Sequence, residues 1–352
     1  MADSLPKQWC SILKRCGIGS AICLASFFLM GCSHWMSMER EAAASSLPSQ
    51  TEVKTDPPFY SDWNIDGLEN CLASSVEPPI SNDEKPVMIL VHGLRGSAQS
   101  FNRLAQQLQA AGHQPICFLY NDRDSLVSSS AKLTEALKQL VHRKGGREII
   151  VLGHSLGALV ARRALTSEHW KTGEANAVQF KLVTVAGPFG GVSTASGCTS
   201  PTMKFLTLGL VIPLCKMVSG DKWAEITYRS EFIRYPGHLS RNVGMHLKIE
   251  TDEEQGCLVY DEKICRISDF VFSLDEQRNS NVDADKKVKI VMVKAGHGGV
   301  LGNEHVFPSQ LILALGTNRI LSMPENQLAK AGSNSLAQSQ SNSAGSSGQP
   351  GY

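Results

Sequence analysis

The 352-residue chain predicts an α/β fold, a mostly parallel sheet with helices on both faces and a small helical insertion. Three observations carry that prediction. Continuous apolar runs such as Val87-Met88-Ile89-Leu90-Val91 recur along the chain. They alternate with stretches whose apolar residues return at helical spacing. The pentapeptide Gly153-His154-Ser155-Leu156-Gly157 sits where one such run passes into one such stretch. A strand without polar alternation is one buried on both faces, and alternation of such strands with helices makes a parallel sheet.

The elements follow in order. Val87–Val91 is a strand, and Phe101, Leu104, Leu108 and Ala111 mark one face of a helix. Residues 115–120 form a second strand, and Leu133, Leu137, Leu140 and Val141 mark a second helix that stops at Gly145-Gly146. The run 148–152 leads into the pentapeptide, and 158–165 continues as a helix. Residues 180–185 are a further strand. The alternation then breaks down over 192–244, read as a cap or lid insertion; its apolar stretch 198–218 fits either a lid or a packed helix pair kinked at Pro213. Strands return at 245–249 and 288–293, and a last helix covers 309–315. Residues 59–85 contain no clear strand.

The ends of the chain have a different character. Lys7, Lys14 and Arg15 precede an apolar core over 17–30, which is shorter than the ~20 residues of a membrane span and fits a secretory signal peptide. Residues 33–58, rich in Ser, Ala, Glu and Pro, read as a tether. From 324 the composition turns to Ser, Gln, Asn and Gly, a disordered tail. The folded domain is therefore expected over 59–323. Apolar residues make up 42% and charged residues 19%, and the net charge of +1 implies neither nucleic acid nor an anionic partner. Besides Cys32, an even set of six cysteines follows the leader, which permits disulfides in an exported protein. Spacing suggests Cys198 with Cys215 and Cys257 with Cys265, and Cys117 reads equally well as a free buried thiol.

The chemistry centres on Ser155. A serine between two glycines at a strand-to-helix turn is a nucleophile elbow, with its hydroxyl raised at a helix N-terminus. Serine needs a base, and the base needs an acid to orient it. His297, after the strand at Val288, is the expected base, with His305 as fallback. Asp269 is the expected acid and Asp252 the second choice, because Glu253, Glu254 and Gln255 read as a solvated hairpin. The backbone N–H groups of Leu94 and Leu156 are the expected oxyanion donors, and His92 and His154 are assigned to shaping their loops.

Two resemblances add to this reading. Val91-His92-Gly93-Leu94, Gly153-His154-Ser155-Leu156-Gly157, Val185-Ala186-Gly187-Pro188-Phe189-Gly190-Gly191 and Gly296-His297 resemble the lipase and esterase branch of the α/β-hydrolase superfamily over about residues 85–320. Asp269-Phe270-Val271 is similar to that family's Asp-x-Val acid turn. The resemblance implies a hydrolase without metal or cofactor that cleaves carboxylic esters through an acyl-enzyme. A thioesterase, an amidase, a lipid acyltransferase or a silent lipid- or protein-binding lipoprotein are the alternatives. Leu29-Met30-Gly31-Cys32 resembles a bacterial lipobox, which implies lipidation at Cys32, and Ser33 after it implies the outer membrane.

Overall fold

A computed structural model describes residues 65–72, 86–144, 148–170, 178–195, 201–208, 210–261, 264–304 and 306–322. All of them belong to the unit Pro58–Tyr352. Cys32, Cys198, His305, the leader, the tether and the tail lie outside the described residues.

Among the described residues seven strands form one sheet in the order β1-β3-β2-β4-β5-β6-β9. In chain order they begin with β1 (Leu68–Asn70), β2 (Val87–Val91), α1 (Asn102–Ala110), β3 (Gln114–Phe118), α2 (Leu126–Lys144), β4 (Glu148–His154), α3 (Leu156–Ala164) and β5 (Gln179–Val185). The insertion supplies α4 (Pro201–Leu206), α5 (Val211–Ser219) and α6 (Glu231–Arg234). The chain then returns with β6 (Val243–Asp252), β7 (Cys257–Asp261), β8 (Ile264–Ser268), α7 (Leu274–Gln277), α8 (Ser280–Asp283), β9 (Val288–Lys294) and α9 (Ser309–Thr317). Among the described residues only β1 runs antiparallel in the large sheet, and β7 and β8 make a separate antiparallel hairpin.

The apolar strands divide by alternation between two cores. Ile89, Val91, Ile149, Val151 and Leu182 join α2 and α3 on one face. Met88, Leu90, Ile150, Leu152, Val183 and Val185 join α1 and α9 on the other. Successive side chains of a strand point to opposite faces, so a run with no polar residue can line two cores at once.

Two pairings decide where the chemistry falls. In β2 and β4, Val91 lies opposite Gly153, so the loop after β2 and the elbow after β4 leave the sheet side by side. In β6 and β9, Asp252 lies opposite Lys294, so the segments after those strands also leave together. All four segments emerge at carboxyl ends of parallel strands, where open α/β sheets place their sites.

Pro213 falls in the first turn of α5, where a missing N–H costs nothing. Phe205 (80% exposed), Leu208 (90%), Leu210 and Met217 present apolar surface to solvent. Arg123, from the loop after β3, donates to the carbonyls of Lys216 (3.1 Å) and Met217 (2.7 Å), which ties α5 to the carboxyl-end side of the sheet. Cys117 is not a free thiol: it bridges to Cys71, and Cys257 bridges to Cys265. Cys215 is also disulfide-bonded.

Candidate active site

Ser155 stands between the last residue of β4 and the first of α3, with φ 56° and ψ −129°. A non-glycine residue held in such a conformation carries roughly 1–3 kcal/mol of strain and persists only when its surroundings impose it. Here the Ser155 N–H donates to the Val185 carbonyl (2.9 Å), and its own carbonyl accepts from Ala158 N–H (3.0 Å). The flanking glycines are required by contact. A Cβ on Gly153 would lie 2.3 Å from the Gly157 carbonyl oxygen, and one on Gly157 would lie 2.2 Å from that of Val91. Both obstacles are backbone, so neither can step aside.

The loop after β2 lies directly against the nucleophile. A Cβ on Gly93 would be 2.7 Å from the Ser155 Cβ and 3.0 Å from its Oγ. The loop is shaped by His92, whose ring stacks on Tyr120 at 4.5 Å and whose Nδ1–H donates to the Gly93 carbonyl (3.0 Å). The Tyr120 hydroxyl donates to the His92 carbonyl (2.6 Å), and burial pushes that phenol above its ordinary pKa. Burial also lowers the His92 pKa, so this imidazole stays neutral and structural. Leu94 follows in this loop, and Leu156 opens α3, whose first-turn N–H groups have no intrahelical acceptor.

His297 arrives from the loop after β9. Its Nδ1–H donates to Glu253 Oε1 at 2.8 Å, which leaves Nε2 as the proton-accepting nitrogen. The ring edge of Phe272 packs on it at 5.0 Å. The neighbour of the nucleophile secures the loop from the other side: His154 Nε2–H donates to the His297 carbonyl (2.8 Å), with the two rings 4.8 Å apart. Burial, with the His297 ring beside it, lowers the His154 pKa to about 3, so His154 is a neutral donor and not a base. Among the described residues no hydrogen bond joins Ser155 Oγ to the His297 ring.

The carboxylate hydrogen-bonded to the imidazole is that of Glu253, and not that of Asp269 or Asp252. The Glu253 side chain is fully buried. Oε1 also accepts from Thr251 Oγ1 (2.8 Å), while Oε2 accepts from the N–H groups of Val271 (2.7 Å) and Phe272 (2.9 Å). Asp252 fails because of strand alternation: Thr251 and Glu253 point to one side of the extended chain and Asp252 to the other. Among the described residues its carboxylate accepts a single long bond, from Glu254 N–H (3.4 Å). Asp269 fails because both its oxygens are turned to the backbone of Gly298 and Gly299. The Asp269-Phe270-Val271 turn wraps the carboxylate of Glu253 instead of offering its own to the ring. The reading of 253–255 as solvated missed this residue. The signal available in the sequence was the alternation Thr251-x-Glu253 at the end of a buried strand.

Fold and site define a class: an α/β-hydrolase with a serine nucleophile, an enzyme that hydrolyses ester bonds. Residues 81–208 match the family described as "Putative serine esterase (DUF676)". Among solved structures the chain is similar to the mature lipase BlEst2 of Bacillus licheniformis, at 15% identity over 68% of this chain and 96% of that one, with a TM-score of 0.46. It is also similar to a protein of Listeria innocua, the product of lin2722, at 14% identity over 68% and 96% of the two chains, with a TM-score of 0.42. No match was found among curated protein sequences.

Proposed function

We propose that this protein is a carboxylic-ester hydrolase of the bacterial envelope, acting through Ser155, His297 and Glu253. The reading is carried by one observation, the buried Glu253–His297 pair on the loop that His154 ties beside the elbow. His297 Nε2 takes the Ser155 proton as Oγ attacks the ester carbonyl, and Glu253 stabilises the imidazolium that forms. The N–H groups of Leu94 and Leu156 receive the oxyanion. The imidazolium then protonates the departing alkoxide, leaving an acyl group on Ser155. Water, activated by the same nitrogen, releases the acid and restores the serine.

The exposed apolar residues of α4, α5 and their connection support an ester with an apolar acyl or alcohol part. The lipobox-like segment ending at Cys32 supports a lipid anchor that holds the enzyme at the envelope. Ser155→Ala, compared with the parent on short acyl esters and with a fluorophosphonate probe, tests the chemistry. It should fold normally, fail to label and lose ~10⁴-fold or more in turnover. Parent-like turnover by the folded variant would end this reading.

A further inference from the structure

We propose that Asp269 is a positioning residue, a second buried carboxylate that clamps the His297 loop and so aligns the imidazole with Glu253. The inference rests on the Ser155–His297–Glu253 reading above and concerns how that histidine is held.

The Asp269 side chain is buried, and its oxygens receive three hydrogen bonds from one loop. Gly298 N–H lies 3.0 Å from both Oδ1 and Oδ2, and Gly299 N–H lies 2.8 Å from Oδ2. The main chain repeats the grip, because His297 N–H donates to the Asp269 carbonyl (2.8 Å). Contact between the loop and the carboxylate is close. A Cβ on Gly296 would lie 2.3 Å from Oδ2, so only glycine allows the segment before His297 to rest there. The histidine is therefore fixed on its backbone by Asp269 and on its ring by Glu253.

The two carboxylates are themselves joined. Gly256 N–H donates to the Glu253 carbonyl (2.8 Å), and Asp269 N–H donates to the Gly256 carbonyl (3.0 Å). Between Gly256 and Asp269 the chain makes the β7–β8 hairpin, closed by the Cys257–Cys265 bridge. The hairpin thus leaves from the ring's acid and returns with the loop's clamp. Burial raises the Asp269 pKa, partly offset by the Gly298 and Gly299 N–H groups, which favour its charged form.

A double-mutant cycle on the purified full-length protein tests the assignment, with kcat and KM measured on a short acyl ester and folding checked by circular dichroism. Asp269→Ala removes all three acceptor contacts and should lower kcat by about 100-fold with KM within about threefold. Asp269→Asn keeps one acceptor oxygen and should lower kcat by about tenfold, which secures the test if the alanine variant does not fold. In a Glu253→Gln background the Asp269→Asn change should cost less than about threefold more, because the geometry it protects is already without value. Losses that multiply, or an Asp269→Asn kcat within about twofold of the parent, would overturn the proposal. A loss of ~10⁴-fold in Asp269→Asn alone, beside a mild Glu253→Gln, would instead return the acid role to Asp269 and defeat the underlying triad reading.

Discussion

Replacing Glu253 by glutamine removes one negative charge while barely changing volume, and the hydrogen bonds around it dictate what the new amide must do. Four donors now point at the carboxylate: His297 Nδ1 and the Thr251 hydroxyl at Oε1, and the N–H groups of Val271 and Phe272 at Oε2. A glutamine must present its NH₂ to one pair. Facing Val271 and Phe272 would strand two buried backbone donors, at about 1–3 kcal/mol each. Facing the other pair costs less, because a hydroxyl oxygen and a neutral imidazole nitrogen can both accept. The amide therefore settles with its NH₂ toward His297, whose Nδ1 becomes an acceptor and whose proton moves to Nε2. Nε2 then has no lone pair with which to take a proton. Loss of the correct tautomer in such a triad lowers turnover by ~10⁴-fold, which corresponds to about 5.5 kcal/mol in the barrier. The assay is kcat on a short acyl ester at neutral pH, with thermal melting to show that Glu253→Gln folds. A folded variant within about tenfold of the parent would refute the reasoning.

Three further outcomes follow from the same geometry. His154 is neutral in the folded protein, its pKa lowered to about 3 by burial, so the unfolded chain binds more protons below its ordinary value near 6.5. Its contribution to stability is full above that value and is lost as pH falls, by about 2 kcal/mol near pH 5; the buried His246 acts in the same sense. Denaturant titrations of His154→Gln should show a smaller loss between neutral and acid pH than the parent, and equal losses would contradict the assignment. Gly157→Ala sets a methyl group against two backbone carbonyls and should destabilise by about 3 kcal/mol, read as a lower denaturation midpoint; an unchanged midpoint would show that the elbow has room. Cys32→Ser should abolish incorporation of a fatty-acid label, and unchanged labelling would remove the anchor from the proposed function.

What the chain determined by itself is the part written in local pattern. The strands at 87–91, 148–152 and 180–185 were legible because a run without polar residues has few alternatives to burial on both faces. The elbow was legible because its two glycines answer a steric demand between residues 153 and 158, all close in sequence. The hydrogen-bond partner of His297 was a different matter. Three acids stood within reach of the right place, and the choice among them turned on which strand ends are neighbours and on which side of β6 each carboxylate points. The pairing of Asp252 with Lys294 sets Glu253 beside the loop of His297, while the β7–β8 excursion brings back Asp269 to grip that loop from behind. Likewise Cys117 found Cys71, 46 residues away, because β1 and β3 pair as neighbours at the sheet edge. Contacts of this kind depend on strand order, which short-range sequence pattern does not encode, so only the tertiary structure decided them.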